Sequence, residues 1–86
     1  MPEVSRFYGI TIRMYPADHF PPHFHAEYGE HEALISIEEL RVIAGYLPSR
    51  AFGLVEEWAL LHRRELAALW YKTQQLEPLT RIDPLP

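Results

Sequence analysis

Histidines are concentrated in one short segment of this 86-residue chain. Of its five histidines, four fall between His19 and His31, and His23 and His25 are separated by a single residue. Two residues apart on a β-strand, His23 and His25 project from the same face, close enough to share a ligand. Paired imidazoles bind zinc, copper or iron, and they also act as general acid and base, because histidine titrates near neutral pH.

A third imidazole, His62, lies in a segment whose apolar residues recur with helical spacing. It falls in the apolar stripe between Trp58 and Leu66, where a polar ring needs a partner, and Glu65 flanks that stripe with a carboxylate. If the helix covers the strand face that carries the paired histidines, three imidazoles and one carboxylate converge. The predicted ligands of a divalent transition metal such as zinc are then His23, His25, His62 and Glu65, with His19 as an alternative fourth ligand.

Strand alternation leaves a second arrangement open. Phe24, Ala26 and Tyr28 occupy the face opposite the paired histidines, and they have the apolar character of a core. If the helix packs on that face, the paired histidines point away from His62. His62 is then a core residue whose imidazole is satisfied by a hydrogen bond and binds no ligand.

An arginine at the start of the predicted helix extends the chemistry to anions. Arg50 follows Pro48 and Ser49, and free backbone N–H groups in a first helical turn can receive phosphate or carboxylate. In a metal-free catalytic site, His23, His25 and His62 act as general acid and base while Arg50 stabilises a phosphate. An exposed arginine beside a capping serine is the simpler alternative.

The elements that position these residues follow from periodicity. Period-two alternation predicts strands over residues 8–14, 23–28 and 33–37, and residues 40–46 form either a fourth strand or a short helical turn at 38–43. Helical spacing predicts one helix from 49 to about 73, with Trp58 among the most buried residues. The predicted fold is α+β, an antiparallel three- to four-stranded meander followed by one long amphipathic C-terminal helix packed on the sheet.

Composition limits the class of protein. The length fits a single domain over residues 1–86, and three prolines predict an extended tail over 77–86. The absence of cysteine excludes disulfides and thiolate metal sites. Because a small secreted domain usually carries disulfides, and because no segment resembles a signal peptide or has the length of a membrane span, we expect a cytoplasmic protein without a membrane partner. A net charge of −4 disfavours a large positively charged surface for nucleic acid, but it does not exclude a small one. A domain with so small a core buries little apolar surface by itself, so we expect formation of a homo-oligomer to supplement it.

Three segments together resemble a family of small bacterial proteins known only as a domain of unknown function. They are residues 18–28, with the signature Pro-Pro-His-Phe-His-Ala, residues 45–50, and the helical residues from 54 to 70. The resemblance implies a stand-alone prokaryotic protein whose gene neighbours a second small protein in a toxin–antitoxin-like pair. The resemblance further implies that the family's pattern includes His19, His23, His25, Arg50, Trp58 and His62. As a module of such a pair, the protein is expected to act on RNA or on its partner protein. A pure interaction module that holds a partner through the tail and an open sheet edge is the remaining alternative.

Overall fold

The computed structural model describes residues 3–86 of the chain. They form one antiparallel sheet of five strands followed by two helices. The strands are β1 (Glu3–Phe7), β2 (Ile10–Arg13), β3 (His23–Tyr28), β4 (His31–Ser36) and β5 (Val42–Gly45), and the helices are α1 (Ser49–Leu61) and α2 (Arg63–Gln74). The strands pair in chain order, so the predicted α+β meander is confirmed, with five strands in place of three or four.

The additional strand, β1, precedes the first predicted strand. The sequence predicts a strand from residue 8, whereas Tyr8 and Gly9 form the turn that joins β1 to β2. Both residues have positive φ, 50° and 80°, and a two-residue turn of this type matches the twist of the strands that it connects. Tyr8 continues the alternation of Ile10 and Ile12. The period-two pattern therefore extends into the turn, and the sequence predicted a strand there.

The later strands lie close to their predicted positions. β3 has the predicted bounds, Gly29 and Glu30 form the predicted turn, and β4 begins and ends slightly earlier than expected. Residues 42–45 pair with β4 as strand β5, so the strand alternative is confirmed there and the helical turn is wrong. The tight connection before β5 includes Leu40, which has a φ of 54°.

Alternation divides the sheet into two faces. The core face carries buried apolar side chains, namely Ile10, Ile12, Phe24, Ala26, Ala33 and Ile35. The opposite face, here called the open face, carries Thr11, Arg13, His25, Glu27, Glu32 and Leu34, and none of these six is fully buried. Strand register places His25 directly between Arg13 of β2 and Leu34 of β4.

The helices pack on the core face around Trp58. This side chain is fully buried, as predicted, and its ring centroid lies 5.3 Å from that of Phe7 and 5.9 Å from that of Phe24. Since Phe24 alternates with His23 and His25 on β3, the face that α1 covers is not the face to which His25 belongs. The helices therefore close the hydrophobic core, and the open face that they leave uncovered is mostly polar.

The single long helix predicted over 49–73 is interrupted at His62. This residue has φ −125° and ψ 28°, so α1 ends before it and α2 starts after it. No proline or glycine marks the break. The His62 ring packs on Trp58, one helical turn earlier, and Arg63 donates to the Glu38 carbonyl, a tertiary contact 25 residues away in the chain. Within residues 3–86, no helix has the length and apolar composition needed to cross a membrane.

The tail after α2 has no helix or strand, and it lies against β1 and α1. The Ile82 N–H donates to the Val4 carbonyl at 2.9 Å, and the Trp58 indole N–H donates to the Asp83 carbonyl at 2.8 Å. Ile82 and Leu85 are both buried. The tail therefore completes the core and satisfies the one polar atom of Trp58.

Candidate metal centre

Two histidines of β3 and an aspartate of the preceding loop lie together at one end of the sheet. The ring centroids of His23 and His25 are 5.3 Å apart. Oδ2 of Asp18, in the loop between β2 and β3, is 3.0 Å from Nε2 of His23 and 3.1 Å from Nε2 of His25. Donor atoms of the three residues all lie within 4.8 Å of one another. We call these residues the Asp18–His23–His25 cluster.

In each ring the other nitrogen, Nδ1, contacts a hydrogen-bond acceptor on the side of the ring away from Asp18. Nδ1 of His23 donates to the backbone carbonyl of Pro21 at 2.7 Å. Nδ1 of His25 lies 3.1 Å from Oε2 of Glu32, which is on the diagonal position of the neighbouring strand β4. These outer contacts determine the orientation of both rings and direct both Nε2 atoms towards Asp18.

Each imidazole therefore lies between two hydrogen-bond acceptors. A carbonyl oxygen only accepts, so Nδ1 of His23 carries a proton, and a neutral ring then presents an unprotonated Nε2 to the Asp18 carboxylate. His25 has a carboxylate at each nitrogen, and a neutral ring donates to only one of them. All four contacts are favourable when both rings carry a second proton, or when a cation lies between the Nε2 atoms and Asp18.

The carboxyl group of Asp18 is held in its ionised form. Its burial raises its pKa, but the hydrogen bond from His25, the hydrogen bond from the His19 backbone N–H and the charges of His23 and His25 lower it by more. The pKa of Asp18 consequently lies below its ordinary value. An ionised carboxylate that faces two imidazole nitrogens is a ready ligand for a cation.

Negative charge is concentrated in the part of the chain that forms the sheet. Residues 3–46 contain seven acidic and three basic side chains, whereas residues 47–86 contain five of each. The whole net charge of −4 therefore belongs to the segment that carries the cluster. This distribution attracts cations and repels polyanions such as nucleic acid.

The end of α2 supports the loop that carries Asp18. The Ala17 N–H donates to the Thr73 carbonyl at 2.9 Å, and Nε2 of Gln74 donates to the backbone carbonyl of Asp18, also at 2.9 Å. The Trp70 ring lies 5.4 Å from the His23 ring, and His23 is only 2% exposed. Two ligand candidates thus depend on contacts with a helix more than forty residues away in the chain.

His62 and Glu65 are not part of the cluster, so the predicted convergence of three imidazoles and a carboxylate is corrected. Nδ1 of His62 donates to Oε1 of Glu65, one helical turn away, and the His62 ring lies 5.6 Å from Trp58. The physical reason is the second arrangement that alternation allowed: the helices cover the core face of the sheet, and the paired histidines of β3 alternate with that face.

Arg50 and His19 are both exposed but differ in position. Arg50 lies in the first turn of α1, on the helical side of the sheet, and makes no side-chain hydrogen bond or ion pair within residues 3–86. The structure does not bring it to the cluster. His19 follows Asp18 directly, and its Nδ1 atom is 3.3 Å from Oδ1 of that aspartate.

Asp18 is the site residue that the sequence did not identify. Its position after β2 and before two prolines indicated only a turn. The available signal was a carboxylate five residues before His23, within a loop short enough to return it to the start of β3. That signal acquires meaning only when the loop conformation is known.

Comparison with known proteins places the cluster inside a family. The family described as Domain of unknown function (DUF4160) matches residues 9–71, a segment that contains β2 to β5, α1, most of α2 and all three residues of the cluster. No curated protein and no solved structure matches the chain. Because the match extends over more than half of its length, the chain belongs to the DUF4160 family, a domain of unknown function.

Proposed function

We propose that this domain binds a divalent transition metal ion, with Asp18, His23 and His25 as protein ligands. The observation that carries the proposal is the orientation of the imidazoles: both present Nε2 to one carboxylate oxygen, while both Nδ1 atoms are held from behind. A cation between these atoms leaves every contact favourable with both rings neutral. Two imidazolium rings satisfy the same contacts only by placing two positive charges side by side.

The spacing of the donor atoms suits such an ion. With bonds of about 2.0 to 2.1 Å, neighbouring ligand atoms are about 3.0 Å apart in an octahedral shell and about 3.4 Å apart in a tetrahedral one. Oδ2 of Asp18 is 3.0 and 3.1 Å from the two Nε2 atoms, separations close to those between neighbouring ligand atoms in such a shell. Two histidines and one carboxylate are a ligand set that zinc and non-haem iron(II) both accept.

The outer contacts match those of known metal-binding histidines. Such histidines usually donate the second ring N–H to a carboxylate or a backbone carbonyl, which selects the tautomer and increases the basicity of the ligating nitrogen. Here His25 has the carboxylate of Glu32 and His23 has the carbonyl of Pro21 in these positions.

The same cluster supports a second function, a toxin–antitoxin-like module in which the imidazoles transfer protons on RNA or on a partner protein. The observation in its favour is the carboxylate of Asp18, which orients both rings as in catalytic dyads. Two observations favour metal binding instead: the sheet segment carries the net negative charge, and the helix that contains Arg50 packs on the opposite face. We therefore rank proton transfer on RNA second.

Calorimetric titration of the untagged protein with Zn²⁺ tests the proposal. We expect one ion per chain. The affinity of Asp18→Asn and of His25→Ala should be lower than that of the unmodified protein by about 100-fold or more, because each substitution removes a ligand. Glu32→Gln removes an outer contact and should weaken binding by about 10-fold. His31→Ala is the matched control, since His31 is an exposed histidine of the same sheet.

The opposite pattern has a clear meaning. If Asp18→Asn binds Zn²⁺ as tightly as the unmodified protein, or if His31→Ala weakens binding as much as His25→Ala, the cluster is not the site. RNA cleavage that persists in chelator and disappears in His25→Ala would instead favour the proton-transfer function.

A further inference from the structure

A fourth side chain able to bind metal borders the cluster. His19 is adjacent to Asp18, so four metal-binding residues fall within eight consecutive positions, 18–25. The backbone N–H of His19 donates to Oδ1 of Asp18 at 3.0 Å, and its Nδ1 atom is 3.3 Å from the same oxygen. The His19 side chain is 86% exposed, and its ring centroid lies 6.1 Å from that of His23. The fold therefore keeps this imidazole beside the cluster without holding its orientation.

Two other donors near the cluster are less suited to complete a metal shell. Glu32 contacts Nδ1 of His25, on the far side of the ring from Nε2, so it cannot reach the same ion while it keeps that contact. Tyr15 packs the edge of its ring against His25 at 4.7 Å and offers a neutral hydroxyl, a poorer ligand than imidazole. His19 combines a good donor atom with freedom to move.

We propose that His19 is the fourth protein ligand of the ion held by Asp18, His23 and His25, an inference that rests on the metal-binding function proposed above. In the bound state that we propose, rotation about the side-chain bonds of the exposed His19 brings its ring from Oδ1 towards Oδ2 of Asp18. The shell then contains three imidazole nitrogens and one carboxylate oxygen. Four ligands of this kind give the tetrahedral arrangement that zinc adopts most readily.

The fourth ligand determines what the site can do. A shell closed by protein holds no coordinated water, so it retains or senses the ion and does not activate a nucleophile. His23 and His25 are held by outer contacts and Asp18 by the loop, whereas the exposed ring of His19 makes a polar contact only with Oδ1 of Asp18 and has no outer partner among residues 3–86. His19 is therefore the exchangeable ligand, and its departure opens one position on the ion.

Visible absorption of Co²⁺ in the untagged, full-length protein tests the role of His19. Four-coordinate Co²⁺ absorbs several-fold more strongly than five- or six-coordinate Co²⁺. We expect strong bands from the unmodified protein. His19→Ala should give several-fold weaker bands and about 10-fold lower affinity, because two or more waters then occupy the space of the imidazole and raise the coordination number above four. Tyr15→Phe and His31→Ala should keep the spectrum of the unmodified protein. His19 is exposed, so its substitution leaves the fold intact, which circular dichroism checks.

The outcomes separate this inference from the function on which it rests. If His19→Ala shows the bands and affinity of the unmodified protein, His19 is not a ligand, and metal binding by the other three residues still stands. If Tyr15→Phe weakens the bands and His19→Ala does not, the fourth ligand is Tyr15 and the inference is wrong. If the unmodified protein binds no Co²⁺, both proposals fail together.

Discussion

The two histidines of β3 have similar partners but different surroundings. His23 is 2% exposed beneath the Trp70 ring and bonds a backbone carbonyl, whereas His25 is partly exposed and bonds the exposed carboxylate of Glu32. A buried polar contact is costly to break, because the remaining partner loses its hydrogen bond without regaining water. The two residues should therefore contribute differently to stability although both face the same aspartate.

We expect His23→Ala to lower the free energy of unfolding by about 2 to 3 kcal/mol in metal-free buffer. His25→Ala should lower it by about 1 kcal/mol or less, since its contacts are closer to solvent. Urea denaturation in the presence of a chelator measures both values. Equal losses in the two variants would show that the burial of His23 under Trp70 does not matter for stability.

Among the elements, β5 depends on a glycine for both its conformation and its pairing. Gly45 ends β5 with a φ of +79°, and a Cβ atom there would lie 2.2 Å from the Glu32 carbonyl oxygen. That oxygen belongs to β4, which pairs with β5 and also supplies the outer contact to His25. A side chain at this position must therefore separate the two strands or change the backbone.

We expect Gly45→Ala to destabilise the protein by about 2 kcal/mol or more, from positive φ and the backbone contact together. Gly53→Ala is the matched control: it lies exposed in α1 with nothing within 4 Å, so alanine should stabilise the helix by about 0.5 to 1 kcal/mol. Gly29→Ala, with φ +59° and open space, isolates the cost of the backbone angle. Thermal denaturation of the three variants ranks the effects, and a neutral Gly45→Ala would contradict the strand pairing.

For the whole molecule, the two ends of the chain stabilise each other outside the segment that matches the family. The carboxylate of Glu3 in β1 bonds Arg6 and, from the tail, Arg81 at 3.0 Å. The two bonds lower the pKa of Glu3 to about 2, and the bond with Arg6 has a larger effect than the bond with Arg81. Because the ionised form is favoured in the folded state, Glu3 contributes stability above the ordinary pKa of glutamate, and this contribution is lost as pH falls towards about 2.

We expect the free energy of unfolding of the unmodified protein to fall more steeply than that of Glu3→Gln as pH drops from about 4.5 to 2. At neutral pH, Glu3→Gln should be the less stable of the two. Urea denaturation at a series of pH values measures the difference. Glu30→Gln, in the exposed β3–β4 turn, is the control and should follow the unmodified protein. Identical pH profiles for all three proteins would mean that Glu3 forms neither the pair with Arg6 nor the pair with Arg81 in solution.

Local pattern alone determined much of this protein. Alternation over residues 23–28 established that His23 and His25 share a face, and helical spacing identified Trp58 as a core residue. The order of strands before helices was enough for the α+β meander. These features depend on interactions between residues close in sequence, whose periods of 2 and 3.6 are visible without a structure.

Only the tertiary structure decided which groups meet. Both faces of β3 were compatible with the sequence, and burial of Phe24 against Trp58 selected the arrangement that separates His62 from the paired histidines. Asp18 reaches those histidines because the end of α2 holds its loop, through the contacts from Thr73 and Gln74. Contacts between residues forty or more positions apart leave no period in the sequence, since they depend on how completed elements pack together.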